Sequence, residues 1–304
     1  MPLQRLSWAL EYAGVRLLEG GFRLLSWDAA RRAGEAIGLL AAALVRRRWH
    51  LTLDNLRHAF PEESPERLRH LAREAWLNLG RIGAEFVKSA HAPKSEILAR
   101  CRYENLDLVT KSLRPGRGAI AHLGHFANWE LAGLALTAHG IPLAVVGRRI
   151  KNPYVDRWVN AVRSRFGALI LSHKNPFFPV VRSLKEGRLV GILMDQSLPT
   201  GGVFVDFFGR PAATTTLTAL LALKLGCPVF KLRLLRRGGE VVARFEGPFE
   251  IPSGLTEGEV AARLTADIEA WARERPEDWF WLHNRWKRSG EAARSARPAE
   301  ARRA

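Results

Sequence analysis

RGAIAHLGHFANWELAGLAL, residues 117–136, carries the transition that organises the rest of the chain. The run from Ala119 to Leu123 is short and apolar and follows the turn-forming Pro115-Gly116-Arg117-Gly118, so it reads as a buried strand. From Asn128 onward apolar residues recur at helical spacing. Asn128 is placed as the N-cap and Glu130 in the first turn, where the helix dipole favours a negative charge. His125 falls on the connecting turn. The His-x4-Glu spacing puts its imidazole within reach of Glu130: one ring nitrogen held by the carboxylate leaves the other free to take a proton from a hydroxyl, the work of a general base. The spacing by itself equally describes a structural His–Glu pair in a strand–helix corner. Zinc is poorly served, because His122, His125 and Glu130 lack His-Glu-x-x-His spacing and no Cys or Asp cluster joins them. No Gly-x-Ser-x-Gly elbow supplies a serine nucleophile.

Working outward, strand-like and helix-like segments alternate beyond Arg100. Strands are expected near 117–123, 141–147, 188–194 and 227–235, with helices near 128–139, 153–166, 176–186, 213–225 and 257–275. This pattern predicts an α/β fold, a mostly parallel sheet flanked by helices, with ligands gathering at the carboxyl ends of the strands. Leu123 to His125 and Leu193 to Asp195 are both strand ends, so the two motifs face one crevice. Thr214-Thr215-Thr216 reads as the cap of an apolar helix, and Asp195 has the alternative role of a cap or turn residue ahead of Ser197. Trp279, Phe280, Trp281 and Trp286 read as core, with the wall of an acyl site as the alternative.

Residues 1–60 are expected to form an N-terminal helical, membrane-associating region, 61–288 the α/β domain and 289–304 a disordered basic tail, Ala-, Arg-, Glu- and Pro-rich with no aromatic residue. The longest uncharged run near the start, 36–45, is about half the roughly 20 residues a membrane-spanning helix needs. Arg5, Arg16, Glu19 and Arg23 fall within a sector of roughly 60° at 100° per residue, with Leu3, Leu6, Leu10, Leu17 and Leu24 opposite. An interfacial helix looks like this, with Trp8 and Tyr12 at headgroup depth; the alternative is that the leucines pack on the protein's own core. Arg46-Arg47-Arg48-Trp49 suits phosphate contacts at a membrane surface or a solvated helix end. Residues 65–90, after the start signal Ser64-Pro65-Glu66, form an amphipathic scaffold helix.

In 304 residues, 47 Lys and Arg stand against 30 Asp and Glu, a net charge of +17, and the isoelectric point is near 11. Such a surface is drawn to polyanions, anionic lipid or nucleic acid. Nucleic acid is not expected as a partner, because no zinc-finger spacing, RNP-like strand or basic zipper is present. Cys101 and Cys227 form no Cys-x-x-Cys and read as reduced core thiols. Charges interrupt every candidate signal-peptide core, so a cytoplasmic-side location is expected.

GHFANWE at 124–130 is followed in order by GRRIKNP at 147–153, DRWVNAVRSRFG at 156–167, LMDQS at 193–197, VFVDFFGRPAATTT at 203–216 and PEDWFWLHNRWK at 276–287. Together, from about Trp49 to Lys287, these resemble the bacterial lipid A late acyltransferases of the lysophospholipid acyltransferase superfamily. The resemblance implies an O-acyltransferase working at the cytoplasmic face of the inner membrane. Its donor would be an acyl carrier protein thioester, its acceptor a lipid A precursor or similar glycolipid, with no metal or organic cofactor. His125 and Glu130 match the catalytic dyad, with Glu130 orienting the imidazole; Arg148, Arg163 and Asp195 match positions kept near the substrate. The guanidinium groups suit phosphate oxygens. The chain departs from the family in having Arg149 where a proline is usual and in a more charged N-terminal anchor. The rivals are a relative that acylates another glycolipid or a lysophospholipid, from acyl-CoA in some cases, a scaffold that keeps the fold without activity, and, in another class, a basic nucleic-acid-binding protein.

Overall fold

The computed structural model describes residues 2–295. The chain is helical up to Arg100: α1 (Pro2–Leu24), α2 (Trp27–Leu44), α3 (Arg46–Ala59), α4 (Pro65–Ser89) and α5 (Lys94–Arg100). Ser26 and Ser64 cap α2 and α4, their hydroxyls accepting from the Ala29 and Arg67 main chain. Helices α2 and α4 touch backbone to backbone. A Cβ on Gly80 would lie 2.0 Å from the Gly34 carbonyl oxygen, and one on Gly38 2.3 Å from that of Trp76, so only glycine permits this approach. Leu68, Leu71, Ala75 and Ile82 line the buried face of α4, as its periodicity predicts. Trp27, Leu53 and Leu56 belong to the same hydrophobic core as Ile120 and Phe230, so the first sixty residues and the sheet share one interior.

Helix α1 buries Phe22 and packs Tyr12 and Val15 on the core, but it also buries a carboxylate and leaves a leucine stripe in the open. Glu19 faces inward and is buried, within 2.7 Å of His91 Nε2 and accepting from the Trp158 indole at 3.2 Å, whereas Leu10, Leu17 and Leu24 are 65%, 78% and 87% exposed. The leucines therefore do not pack on the protein's own core. Tyr12, expected to point outward, turns inward against Tyr154. Among the described residues no helix is long and apolar enough to cross a membrane.

The remaining elements, in chain order, are β1 (Cys101–Glu104), α6 (Leu106–Thr110), β2 (Ala119–Leu123), α7 (Trp129–Ala138), β3 (Leu143–Gly147), α8 (Pro153–Arg163), β4 (Leu169–Ser172), α9 (Phe177–Lys185) and β5 (Leu189–Leu193). They continue with the hairpin β6 (Val203–Phe207) and β7 (Arg210–Thr214), then α10 (Leu217–Leu225), β8 (Val229–Arg237), β9 (Glu240–Glu246), α11 (Glu257–Glu274) and α12 (Ser289–Ser295). Seven strands form one sheet in the order β1-β9-β8-β2-β5-β3-β4; every pairing is parallel except β8 with β9. The mostly parallel α/β architecture expected from the alternation is present. Strand β2 is buried at all five positions, which is why it reads as an unbroken apolar run rather than an alternating one. Its His122 faces α11, where Nε2 lies 2.9 Å from the Leu264 carbonyl oxygen. Across the sheet, Tyr103 of β1 donates to the Ala132 carbonyl of α7 at 2.6 Å.

Three expectations change. The helix placed at 213–225 begins at Leu217, because Arg210–Thr214 is the return strand of a hairpin. Strands β1, β4, β6, β7 and β9 had no sequence prediction. The tail expected to be disordered from Ser289 begins as α12, and the rest of it, residues 296–304, lies outside the described part.

Candidate active site

The turn between β2 and α7 is pinned from three sides. Phe126 bridges to Trp279, the Phe280 amide donates to the His125 carbonyl at 3.0 Å, and the Ala127 amide donates to the Asp278 carbonyl at 2.9 Å. These contacts hold Ala127 at φ +45°, a conformation side chains disfavour. Asn128 then caps α7 as expected, its oxygen accepting from the Leu131 amide at 2.9 Å. Its own amide donates to Glu85 of α4 at 2.7 Å, and Glu85 in turn holds Arg236 of β8 through two bonds of 2.8 Å. The result is a His125 side chain projected from a fixed turn.

Strands β2 and β5 are neighbours in register, Leu123 beside Leu193, so the residues two beyond each strand end stand side by side. Asp195 Oδ2 accepts the His125 main-chain amide at 2.7 Å and the Trp279 indole at 2.8 Å, and Oδ1 lies 2.7 Å from His125 Nδ1. A Cβ on Gly124 would lie 2.9 Å from the Phe126 ring and 3.1 Å from Asp195 Oδ2, so glycine leaves room for this contact. Burial pushes the Asp195 carboxyl up, but its position against the His125 ring and the three hydrogen bonds it accepts outweigh this and hold the group below the usual carboxylate range. An ionised carboxylate only accepts, so the ring proton sits on Nδ1 and Nε2 carries the lone pair. The Gln196 amide, 3.2 Å away, donates to it. Trp129 meets the imidazole edge-on at 4.7 Å between ring centroids.

The carboxylate on Nδ1 is thus Asp195 rather than Glu130. Glu130, in the first turn of α7 as predicted, is paired with Arg163 at the end of α8, which donates through Nε at 2.9 Å and through a second nitrogen. Burial works against the Arg163 charge, but the bond to Glu130 outweighs it and holds the guanidinium above its ordinary value. His125, Glu130, Arg163 and Arg148 all line one cavity of about 430 Å³, with Arg148 exposed on its rim. Asp195 is 2% exposed and lies behind the imidazole, so it is not in reach of a substrate, contrary to the expectation from the resemblance. It is not a helix cap either. Away from the mouth the cavity passes between α7 and the sheet, against Ala121, Leu136, Leu143, Val145 and Ile170.

Three supporting residues escaped the sequence reading. Gln196 follows Asp195 directly, and the strand-end argument that found one reaches the other. His283 Nε2 accepts the Ser197 amide at 3.0 Å and so tethers the segment carrying Asp195; burial pushes this imidazole down to about 4. Glu85 lies on a helix whose periodicity marks it only as scaffold. Trp279 and Trp281 are core, as expected, and Trp286 is buried beside them. Of the threonines, Thr216 is the N-cap of α10 but makes no side-chain cap bond; the Thr215 hydroxyl accepts the Leu217 amide at 3.2 Å, and Thr214 accepts from the buried Arg285. Cys101 is buried, its thiol pushed up to about 12, and Cys227 is half-buried.

Residues 3–288 match the family model of the bacterial lipid A biosynthesis acyltransferases. The chain is 27% identical over 190 residues to a phosphatidylinositol mannoside acyltransferase of Mycolicibacterium smegmatis, covering 60% of this chain and 61% of that protein. It is 26% identical over 259 residues to the lipid A biosynthesis palmitoleoyltransferase of Escherichia coli, covering 84% and 83% of the two chains. Against the lipid A biosynthesis lauroyltransferase of the same organism the identity is 27% over 267 residues, covering 86% and 87%.

Proposed function

The chain belongs to the bacterial lipid A biosynthesis acyltransferase family, and on that premise we propose that it moves a fatty acyl chain from an acyl carrier protein thioester to a hydroxyl of a lipid A precursor at the cytoplasmic face of the inner membrane. The observation that carries this reading is an imidazole fixed on Nδ1 by a buried carboxylate, with its Nε2 lone pair at the mouth of a largely apolar cavity. His125 takes the proton of the acceptor hydroxyl as its oxygen bonds to the thioester carbonyl carbon. Asp195 orients the ring and stabilises the cation. The tetrahedral intermediate collapses by breaking the carbon–sulfur bond, and the imidazolium returns its proton to the departing thiol. A thioester is already activated, so no acyl-enzyme is needed. Arg163, kept in place by Glu130, and Arg148 on the rim suit acceptor phosphate. The outward leucines of α1 suit an interfacial helix.

The likeness to a phosphatidylinositol mannoside acyltransferase supports a second acceptor class, a mannosylated lipid. Purified protein given an acyl carrier protein thioester and either glycolipid should yield acylated product by mass spectrometry. Folded His125→Ala should be slower by roughly 10²- to 10⁴-fold. Near-normal turnover by that variant, or an acyl group trapped on Cys101 or Cys227, would sink the mechanism.

A further inference from the structure

Glycine inside a helix or strand lowers stability relative to alanine, so such a position usually serves a left-handed backbone or a close approach. Gly34, Gly38, Gly80 and Gly124 are explained by close approach. Gly14, Gly20, Gly21 and Gly83, in α1 and α4, have open space around them away from the cavity, whereas Gly133, in the middle of α7, and Gly191, in the middle of β5, are explained by neither close approach nor such an open position. Neither has a positive φ, and a Cβ on Gly133 would meet only Leu143 Cδ2, at 3.8 Å. On Gly191 the nearest atom would be Val145 Cγ1 at 3.4 Å. The neighbours therefore leave room for a side chain at both places. What the two positions have in common is the cavity, whose wall each forms.

Their depth follows from the strand register. Leu123, Leu193 and Gly147 stand at the His125 end; Gly191 lies one level deeper, beside Ala121 and Val145. Ala121 lies two residues below the strand end Leu123, about 7 Å at roughly 3.3 Å per strand residue, and His125 stands on the turn beyond that end. Gly133 approaches Leu143, which pairs with Leu189 at the level below. One glycine thus stands on the helix wall and the other on the sheet wall, both in the inner part of the cavity. We propose that the gap between Gly133 and Gly191 sets the longest acyl chain this protein accepts, the tail passing between them toward Leu136 and Leu143. This deepens the acyltransferase reading and rests on it for the identity of the ligand.

The test uses the full chain with Gly133→Leu and Gly191→Val made separately, and acyl carrier protein thioesters of about eight to sixteen carbons. Donors short enough to end above the glycines should keep kcat/KM within about threefold of the unaltered protein. Longer donors should lose about fourfold per excluded methylene, so both variants prefer shorter chains. Gly133→Ala, favoured in a helix and free of clashes, should give a smaller shift in the same direction and decides the matter if the larger substitutions fail to fold. Melting temperatures with free saturated fatty acids of the same lengths read the cavity without any transfer. The unaltered protein should gain stability with chain length, and the variants should stop gaining at a shorter length. Parallel length profiles in the variants and the unaltered protein, in turnover or in melting, overturn the proposal. Length-dependent melting without transfer to any lipid would instead fault the acyltransferase reading.

Discussion

Replacing Asp195 by asparagine changes one group, and the hydrogen bonds around it decide how the new amide turns. Oδ2 receives two N–H groups, from the His125 main chain and the Trp279 indole, whereas Oδ1 faces Nδ1 alone. An amide nitrogen at the Oδ2 position would set a donor against two buried donors, each unsatisfied at a cost of about 1–3 kcal/mol. The carbonyl oxygen therefore stays there and the NH2 points at Nδ1. Nδ1 must then accept, which moves the ring proton to Nε2 and removes the lone pair on which base catalysis depends. We expect kcat to fall about 10³- to 10⁴-fold, roughly 4 to 5.5 kcal/mol of transition-state stabilisation, with the acceptor KM little changed. Steady-state assays with thioester and lipid acceptor measure the loss, and ¹⁵N shifts of the His125 ring report the proton's position. A kcat within about tenfold of the unaltered protein, or a ring proton still on Nδ1 in the variant, would refute this reasoning.

Acid should weaken the fold through two imidazoles that burial holds down to about 4, His122 and His283. Both are neutral in the folded protein, while the unfolded chain binds their protons below about pH 6.5, so stability is full above that window and declines as pH falls through it. The loss is up to roughly 3 kcal/mol for each. Urea midpoints should drop between about pH 7 and pH 4.5, less so in His283→Gln; a profile unchanged by that substitution would contradict the assignment. Vesicles containing anionic lipid should sediment the protein even at about 0.5 M salt, past effective screening, because apolar burial adds to charge attraction. Leu10→Glu combined with Leu17→Glu should release it, and binding that vanishes in salt or survives the double substitution would reject the interfacial role of α1.

Of the strands that sequence reading found, β2 and β5 are buried along nearly their whole length and β3 is apolar throughout, so each reads as a continuous apolar run, while β8 was marked by its regular apolar positions between charged ones. Those it missed are short or lie outside the central run. Strand β4 has four residues at the sheet edge, β9 follows Gly238-Gly239 in a hairpin whose turn signal was present but unused, and β7 precedes its helix without a break in composition. At the site, His125 and the cap Asn128 were legible because both depend on local spacing. The partner of His125 was not. Glu130 is five residues away in sequence and Asp195 seventy, but the first turn of α7 carries Glu130 toward α8, and only strand register brings Asp195 alongside. Gln196, His283 and Glu85 likewise depend on contacts between distant segments.

Glu85 ties the helical region to the catalytic turn with no linker between them. An enzyme on a flexible tether meets its lipid at many heights and angles. Here Glu19 ties α1 to His91, just beyond α4, and to Trp158 of α8, and α4 grips Asn128 through Glu85, so the direction of the His125 side chain relative to the outward leucines of α1 is set by the fold. With those leucines lying on a bilayer, the base works at one fixed elevation, and which hydroxyl of a headgroup it can reach becomes a matter of height above the membrane as well as of chemical recognition.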